Sequence, residues 1–395
     1  MSIYKFAELI EEVNEYNTEL QYGLNDIVGV TIEKGLMPTI ANLTQTPLDK
    51  FYLVEPNTFV YNPRTHGVRI GMGYNQTNTT FITSWNNFAF RVKSSVSNIL
   101  NPDYLWLYFN RSEWDRETNF KAWGSSTIVF SWDVFMEMTI KLPPISFQDT
   151  VVRQYKVIND RIELKKKINE NIEATVQALF KAQFIDYVND SDTEFIEFEF
   201  GKYPSNWSLI TLDRVVDIRD GTHDSPMPTS MGKYLITSRH LLPYGIDRTD
   251  AYYISEVDYS KVNERSKVEC GDILFSMIGT VGIISFITDK DVDFAIKNVG
   301  LFRTSQTPTM RYFILLYLKS RIVNDYINSY IAGSTQSYVS LNVLRKIPFI
   351  LPPEHIIGTF ETKITPFINE LITNTQEITK LKDLKDMIVA SFSNY

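Results

Sequence analysis

The sequence predicts a mixed α/β protein built as a tandem repeat, in which two globular α/β domains are each followed by a long helix. Three observations predict this fold class: a Leu-Pro-Pro tripeptide occurs twice, an apolar heptad pattern follows each copy, and strand-like and helix-like segments precede each copy. The two long helices are expected to pair antiparallel as a coiled coil around a pseudo-two-fold axis. The predicted segments are a first domain over 1–143, a central helix over 144–187, an acidic linker over 188–202, a second domain over 203–351 and a C-terminal helix over 352–395.

The repeat rests on a constant spacing between matching residues. Leu142-Pro143-Pro144 recurs as Leu351-Pro352-Pro353, an offset of 209 positions. The same offset aligns further features without gaps, namely Ser131 with Ser340, Gly124–Ser126 with Gly333–Thr335, and Leu105–Phe109 with Ile314–Leu318. A period of about 200 residues indicates duplicated domains, not a solenoid of short repeats. Chance agreement of turn residues is the alternative.

A helical pattern follows each Leu-Pro-Pro, where proline is tolerated because it lies at the start of a helix. The second pattern has polar Asn374 and Lys385 at two core positions, and its apolar residues are Ile357, Phe360, Ile364, Phe367, Leu371, Ile378, Leu381 and Ile388. The first has Lys165 and Asn169 as interruptions, and its apolar residues are Val151, Tyr155, Ile158, Ile162, Ile172, Val176 and Leu179. Polar core residues lower coiled-coil stability but can set register and partner. A helix of about 40 residues is about 60 Å long, so each one needs a partner; packing on its own domain is the alternative.

The globular domains are expected to contain an irregular sheet with helices. Five segments are typical of strands: Phe51–Val54, Phe59–Tyr61, Phe88–Val92, Asp272–Phe275 and Gly282–Ile287. Asp103–Arg111 and Arg311–Tyr330 are predicted as helices. Ser131 and Ser340 each precede a short helical stretch, where a serine hydroxyl favours the N-cap position. The segment Asp186–Glu199 is acidic and lacks basic residues, so it is interpreted as a linker that ends in a short strand near Phe195.

The charge distribution bears on possible partners. The formal net charge is −8, which by itself argues against nucleic acid as a ligand. Residues 205–350, however, hold 16 Lys and Arg against 15 Asp and Glu. The second domain is therefore close to neutral, and a partner subunit can supply further positive charge.

Cysteine and terminal sequences indicate a cytoplasmic protein. A single cysteine, Cys270, excludes a disulfide framework and a four-cysteine zinc site. Met1–Lys5 lacks the apolar core of a signal peptide, and the longest apolar run, Tyr312–Leu318, is too short to span a bilayer. The histidines show no metal-ligand spacing: His66, His223, His240 and His355. We expect neither a metal site nor a cofactor in this chain.

Motifs of common catalytic chemistry are absent from the sequence. It has no phosphate-binding Gly-x-x-x-x-Gly-Lys-Ser/Thr loop, no Gly-x-Gly-x-x-Gly after a strand and no Gly-x-Ser-x-Gly turn. The two Leu-Pro-Pro tripeptides continue with Ile145 and Glu354, so neither resembles the Asn/Asp-Pro-Pro-aromatic tetrapeptide of amino-methyltransferases. The sequence therefore predicts a chain that is not an enzyme by itself.

Taken together, the motifs resemble those of type I restriction–modification specificity subunits over nearly the whole chain. In the second domain the resemblance rests on Val216–Pro226, Leu235–Leu241, Gly271–Ser276, Ile278–Gly282 and Gly333–Gln336, followed by Leu-Pro-Pro and a long helix. The first domain resembles a divergent copy, with Phe59–Arg64 in place of the Gly-Asp-Ile-Leu-Phe-Ser run.

The resemblance implies that each globular domain is a target recognition domain that reads one half of a split DNA target through the major groove. It implies that the helices separate the two halves and dock two methyltransferase subunits, which bind S-adenosylmethionine and methylate adenine after flipping it from the stack. A motor–nuclease subunit can join the assembly. One departure is noted: the sequence stops at Tyr395, close to the end of the second helix, so a terminal extension that packs on the first domain is expected to be short or missing.

Candidate DNA-binding residues were chosen for the donors that base edges and phosphates require. In the second domain these donors lie in two polar stretches. In the first domain they lie in one polar stretch and at two residues upstream of it. The candidates are Lys34, Asn42, Arg64, Thr65, His66, Arg69, Arg219, Thr222, His223, Ser225, Arg239 and His240. For each, an ordinary surface ion pair or turn is the alternative. The alternative for the whole chain is a coiled-coil adaptor that binds proteins without reading DNA.

Overall fold

The structure is a computed structural model that describes residues 2–39, 46–65, 69–122, 128–188, 193–331 and 338–391. The repeat features Gly124–Ser126 and Gly333–Thr335 lie outside the described residues. Spatial contacts divide the chain into two compact units, Met1–Glu163 with Thr379–Tyr395, and Leu164–Ile378. Each unit therefore holds one globular domain and a segment of each long helix.

The first half of the chain alternates short strands and helices before one long helix. In chain order its elements are β1 Ser2–Lys5, α1 Phe6–Leu9, β2 Ile10–Glu12, β3 Val28–Val30, β4 Leu36–Pro38, β5 Tyr52–Val54, β6 Phe59–Tyr61, β7 Arg64–Thr65, β8 Met72–Tyr74, β9 Phe81–Thr83, β10 Phe88–Val92, α2 Pro102–Phe109, α3 Ser112–Lys121, β11 Ile128–Val129, α4 Trp132–Glu137, β12 Thr139–Leu142 and α5 Ile145–Phe184.

The second half follows the same plan. Its elements are β13 Phe195–Phe198, β14 Gly201–Pro204, β15 Ser208–Thr211, β16 Ile218–Asp220, β17 Lys233–Ile236, β18 Leu241–Leu242, β19 Gly245–Ile246, β20 Tyr253–Ile254, α6 Glu256–Ser266, β21 Ile273–Ser276, β22 Ile284–Phe286, β23 Phe294–Ile296, β24 Val299–Phe302, α7 Arg311–Leu318, α8 Arg321–Ile331, α9 Leu341–Arg345, β25 Pro348–Leu351 and α10 Glu354–Ser391.

Each domain is organised around a four-stranded antiparallel sheet of the same topology. The strand order is β2-β10-β6-β8 in the first domain and β16-β24-β21-β22 in the second. Val60 pairs with Ala89 and Gly73 in the first sheet, and Leu274 pairs with Leu301 and Ser285 in the second. The central strands are buried on both faces, which explains their continuous apolar runs. The expected correspondence between Phe59–Tyr61 and the Ile-Leu-Phe-Ser strand is confirmed.

Downstream of these sheets the repeat offset holds element by element. Helices α2, α3 and α4, strand β12 and helix α5 each begin 209 positions before α7, α8, α9, β25 and α10. Ser131 accepts a hydrogen bond from the backbone N–H of Val134, and Ser340 accepts one from Val343, at 3.4 Å in both cases. The predicted N-caps are therefore confirmed, and both occupy equivalent positions.

An aromatic core fills the first unit. Phe6 from α1 packs against Phe135 at 4.8 Å between ring centroids, and Phe109 packs against Trp114 at 4.6 Å. Gln148 of α5 is fully buried and donates to the carbonyls of Ile99 and Pro143 at 2.8 and 2.9 Å. This amide fastens the long helix to the domain because it satisfies buried backbone groups.

The second unit has its core between α7 and both long helices. Phe313 of α7 lies 4.8 Å from Phe184 of α5 in an edge-to-face contact. Glu361 of α10, which is 8% exposed, accepts the backbone N–H of Phe313 at 2.7 Å and so caps the start of α7. Burial raises the pKa of Glu361 to about 7, although its hydrogen bonds to Phe313 and Tyr312 and the charge of Arg311 oppose the rise.

The long helices run antiparallel within the second unit. Phe184 near the end of α5 contacts Phe360 near the start of α10 at 4.8 Å, whereas Lys165, earlier in α5, bonds to Asn374, later in α10. Within the first unit, Lys385 of α10 lies 5.4 Å from the ring centroid of Tyr155 of α5. The predicted antiparallel helix pair is confirmed in the second unit, and the two helices are also in contact in the first.

Polar residues in the seam bond to one another. Asn374 is fully buried, donates to Asn169 at 2.9 Å and accepts from the Lys165 ammonium at 2.5 Å. Lys165 also lies 3.2 Å from a carboxylate oxygen of Glu377. Three of the four interruptions of the heptad pattern, Lys165, Asn169 and Asn374, therefore form one hydrogen-bonded cluster, which meets the requirement that buried polar groups be paired.

Some elements differ from the sequence-based expectation. The predicted helix Arg311–Tyr330 is two helices, because α7 ends at Leu318 and Ser320 precedes a new start at Arg321. The stretch interpreted as a linker contains the hairpin β13–β14, whose Phe195 ring lies 5.1 Å from Tyr187. Apolar side chains of this hairpin pack on the second unit, so the stretch is part of that unit's fold.

Candidate nucleic-acid interface

Strand β16 carries the first group of candidate residues in the second domain. The Arg219 guanidinium donates to a carboxylate oxygen of Asp217 at 2.8 Å and to the carbonyl of Arg265 at 2.7 Å. Arg303 also approaches Asp217, at 3.4 Å. Arg219 is 35% exposed at its side chain, so it stays accessible but its geometry is fixed by internal bonds.

A buried carboxylate, Asp220, organises the next residues. Asp220 is 4% exposed and forms an ion pair with Arg265 of α6. The His223 ring lies between the Asp220 carboxylate, 3.1 Å from Nε2, and the Asn298 amide oxygen, 2.9 Å from Nδ1. The sequence could not place Arg265 here because 45 positions separate it from Asp220.

The candidates Thr222 and Ser225 lie on a loop that leaves β16 after Gly221. The Thr222 hydroxyl accepts the backbone N–H of Asp224 at 3.1 Å, and the Ser225 hydroxyl accepts from the Lys297 ammonium. The loop borders a pocket of about 420 Å³ whose other wall is α6. Arg219, His223, Thr222 and Ser225 are thus brought together on one side of the second domain.

The second polar stretch of this domain contains Arg239 and His240, of which one is exposed and the other is buried. Arg239 is 61% exposed and lies 3.4 Å from a carboxylate oxygen of Asp250. His240 is 1% exposed, and its Nδ1 accepts the backbone N–H of Thr237 at 2.9 Å. Burial lowers the pKa of His240. A side chain so enclosed cannot reach a base edge, so the prediction that His240 contacts DNA is corrected to a structural role.

In the first domain the structure separates the candidates in a similar way. Arg64 lies on β7 with its side chain exposed, whereas the neighbouring Thr65 is buried and faces inward. Arg69 is 55% exposed and lies 3.7 Å from Asp115. Asn42 and His66 fall outside the described residues. Arg64 and Arg69 remain available to a ligand, and the prediction for Thr65 is corrected because its hydroxyl does not reach the surface.

Lys34 has an internal partner. Its side chain is 4% exposed, its ammonium lies 2.7 Å from the Asp115 carboxylate, and it donates to the carbonyl of Phe109. Burial lowers the pKa of Lys34, although Asp115 opposes this. The predicted DNA contact of Lys34 is therefore corrected: the residue ties its loop to α2 and α3.

The described part of the chain offers no metal site and no helix suited to a bilayer. No three His, Cys, Asp or Glu residues there lie close enough to hold an ion. None of the helices described is long and apolar enough to cross a membrane. The polar surface around Arg219 and His223 is suited instead to a ligand that accepts hydrogen bonds, such as a phosphate or a base edge.

Part of the chain matches a known protein family. A family of type I restriction modification DNA specificity domains matches residues 204–385, which cover the second domain and most of α10. This part of the chain is therefore similar to domains of the DNA-specificity class.

Relatives extend the likeness across both halves. The chain is 23% identical over 309 residues to the type I restriction enzyme MjaIX specificity subunit of Methanocaldococcus jannaschii, covering 73% of this chain and 67% of the relative. It is 20% identical over 364 residues to the HindI specificity subunit of Haemophilus influenzae, covering 77% and 79%. A solved S subunit of a type I restriction–modification system from M. genitalium has the same fold, with a TM-score of 0.56 at 13% identity over 98% of this chain and 94% of that chain.

Residues 204–385 therefore match a type I restriction modification DNA specificity domain, and the chain as a whole is similar to type I specificity subunits. These comparisons do not favour the protein-binding adaptor that the coiled-coil pattern also allowed.

Proposed function

We propose that this chain is the subunit that reads a split DNA target for a type I restriction–modification complex, with one recognition domain for each half-site. The main support for this proposal is the duplication. Both domains have the same sheet topology, and the same helices follow the sheet in each domain at a constant offset of 209 positions. A protein that reads two different half-sites needs this combination of a conserved framework and divergent loops.

The two domains differ outside the shared sheet. The three-stranded ladder β20-β17-β23 and helix α6 of the second domain replace the small ladders β3–β4 and β5–β9 of the first. In the first domain Arg64 lies on β7 and Arg69 follows it, and in the second Arg219 lies on β16 and Arg239 follows β17. Such residues supply bidentate donors for guanine or charge for phosphates.

The chemistry would belong to partner subunits. Two methyltransferase subunits that bind S-adenosylmethionine would dock on the helices, and a motor–nuclease subunit would join for cleavage. The net charge of −8 supports the presence of partner subunits, because basic partners would raise the affinity of such an acidic chain for DNA phosphates. Such a complex would act in the cytoplasm.

Two measurements test the proposal. The full chain is mixed with the methyltransferase encoded beside it, and the mass of the complex is measured; one reader with two methylases is expected. Methylated adenines of the host genome are then mapped, and a split motif is expected that changes in one half when one recognition domain is exchanged. A chain that forms no such complex and leaves no split motif would contradict the proposal.

A further inference from the structure

Two methionines stand exposed on one loop of the second domain. Met227 is 78% exposed and Met231 is 79% exposed, on the segment that connects β16 to β17. Within the described residues, neither side chain belongs to an apolar cluster of the second unit. Large apolar side chains cost free energy when they face water, so two of them on one short loop indicate a contact surface.

Close backbone contacts hold both ends of the loop that carries them. At one end a Cβ on Gly221 would lie 2.2 Å from the carbonyl oxygen of Ile296, so only glycine fits this close approach. At the other end Gly232 has a φ of +146°, and a Cβ there would lie 2.0 Å from the carbonyl oxygen of Ile254. Both ends of the loop are therefore held against the ladder formed by β20, β17 and β23.

Hydrogen bonds fix the middle of the loop as well. The backbone N–H of Thr229 donates to the carbonyl of Tyr253 at 2.9 Å, and the Thr229 hydroxyl donates to the carbonyl of Met231 at 2.8 Å. Lys297 donates to the Ser225 hydroxyl on the same loop. The two methionines are thus presented by a backbone that is already ordered, which lowers the entropic cost of binding.

The surroundings of the methionines indicate the kind of surface they meet. Met227 borders the same pocket as Thr222 and Ser225. The pocket is also lined by two cations of α6, Lys261 and Arg265, and by the carboxylates of Asp220, Asp224 and Asp258. Hydroxyls, cations, carboxylates and apolar tips are all groups with which proteins read the major groove, where cytosine presents an amino donor and thymine a 5-methyl group. The loop also carries His223, one of the candidates that remain exposed.

We propose that Met227 and Met231 are specificity-determining residues that contact thymine 5-methyl groups in the half-site read by the second domain. This inference rests on the proposed function, because it assigns a chemical mode of reading to one of the two domains. The methionines supply apolar contact and no hydrogen bond, so they distinguish thymine from the other bases by its methyl group alone.

The test removes that methyl group and nothing else. The complex of the full chain with its methyltransferase is titrated with duplexes in which each thymine of the second half-site is replaced in turn by deoxyuridine. For the wild-type chain, at least one replacement is expected to weaken binding about fourfold, the effect of one buried methyl. The variants Met227→Ala and Met231→Ala are expected to bind the thymine duplex equally weakly and to ignore the replacement.

Matched variants separate this effect from general damage. Met227→Leu retains an apolar tip and is expected to keep the preference for thymine. Met37→Ala removes a methionine that is 40% exposed on β4 of the first domain, and it is expected to leave the preference for thymine in the second half-site unchanged. Complex formation is checked for every variant by mass measurement.

The outcomes distinguish this inference from the proposed function. If the wild-type complex binds a split target but shows no preference for thymine over deoxyuridine, or if both alanine variants keep that preference, the assignment of the methionines is overturned and the reader function stands. A second half-site without thymine overturns it in the same way. If the wild-type complex reads no target at all, the proposed function itself is contradicted.

Discussion

Lys165 of α5 donates a hydrogen bond to Asn374 of α10, and these two residues occupy equivalent positions of the repeat, 209 positions apart. A residue can bond to its own counterpart only where a two-fold axis passes between them. The bond therefore marks a local pseudo-two-fold axis between the two helices. At this point the duplication has become asymmetric, since one copy supplies a cation and the other an amide.

This asymmetry should be energetically significant. The substitution Asn374→Lys places two ammonium groups at the axis, and we expect it to lower the free energy of unfolding by about 2 kcal/mol because buried like charges repel. The midpoint of urea unfolding measures the effect. An unchanged midpoint would show that the cluster contributes nothing to the pairing of the helices.

An exchange of the two residues gives a sharper test of the same cluster. In Lys165→Asn/Asn374→Lys the hydrogen bond can reform, but the moved lysine has lost its carboxylates. Glu370 and Glu377 flank the native lysine, whereas the equivalent positions in α5 hold Arg161 and Ile168. We therefore expect only partial recovery of the urea midpoint, and full recovery would mean that the carboxylates are irrelevant.

The Glu361 carboxylate predicts a dependence of stability on pH. Its folded-state pKa of about 7 lies above the ordinary value of 4.5, so the folded state holds the proton more tightly than the unfolded state does. The stabilisation is fully present below pH 4.5 and is lost as the pH rises through 7. Between these values the loss is on the order of 3 kcal/mol.

Glu361→Gln should remove this slope while it keeps an acceptor for the Phe313 N–H. We expect the variant to gain stability relative to the wild type as the pH rises from 4.5 to 7, measured by thermal unfolding at several pH values. Glu354→Gln, at the exposed start of α10, is the control and should leave the slope in place. Parallel curves for Glu361→Gln and the wild type would refute the assignment.

Lys34 should act on stability and not on DNA. Lys34→Met leaves Asp115 buried without its ammonium partner, and we expect a loss of about 3 kcal/mol in thermal unfolding. Removal of both charges in Lys34→Met/Asp115→Leu should cost less than the single change. Affinity for DNA, measured well below the melting temperature, should stay at the wild-type level; a specific loss of affinity would return Lys34 to the interface.

In contrast to Lys34, Arg64 has an exposed side chain and is expected to act on DNA binding. We expect Arg64→Ala to weaken binding to the first half-site about tenfold. If Arg64 contacts a phosphate, the slope of log affinity against log salt concentration should become smaller by about 1; if it contacts a base, the preference for that base should relax. Arg321→Ala is the control, since that side chain is 87% exposed and pairs with Asp325 on the same helix. Unchanged affinity of Arg64→Ala at moderate salt would exclude the contact.

The scaffold was predictable from sequence because its signals are local or periodic. The Leu-Pro-Pro repeat, the heptads and the serine caps each depend on nearby residues, and the structure confirms them with one correction: Ile368 and not Phe367 is buried in the seam of α10. Pro366 is an exception, since a proline normally ends a helix, yet α10 continues through it. Tertiary packing of Ile364 and Ile368, both fully buried, holds the helix together on either side.

The site was less predictable from sequence because the type of a residue does not show whether its side chain points to the surface or into the protein. Lys34, Thr65 and His240 have suitable chemistry, but their side chains point into the protein. Their partners, such as Asp115 for Lys34, lie far away in sequence, so no local pattern could reveal them. Met227 and Met231 present a different case, because they carry no polar donor by which a DNA contact is recognised, although two large apolar residues in a loop of proline, serine and threonine are a visible signal.

The constant offset from α2 and α7 onward has a practical consequence for engineering. A cut within one of the described helices or strands of that region has a counterpart 209 residues later in the equivalent element, so coding segments can be joined there in register. If the proposed function is right, a chimaera with the same recognition domain in both halves would bind a target whose two half-sites have the same sequence. Recombination of existing coding segments would thus turn a protein that recognises an asymmetric target into one that recognises a symmetric target.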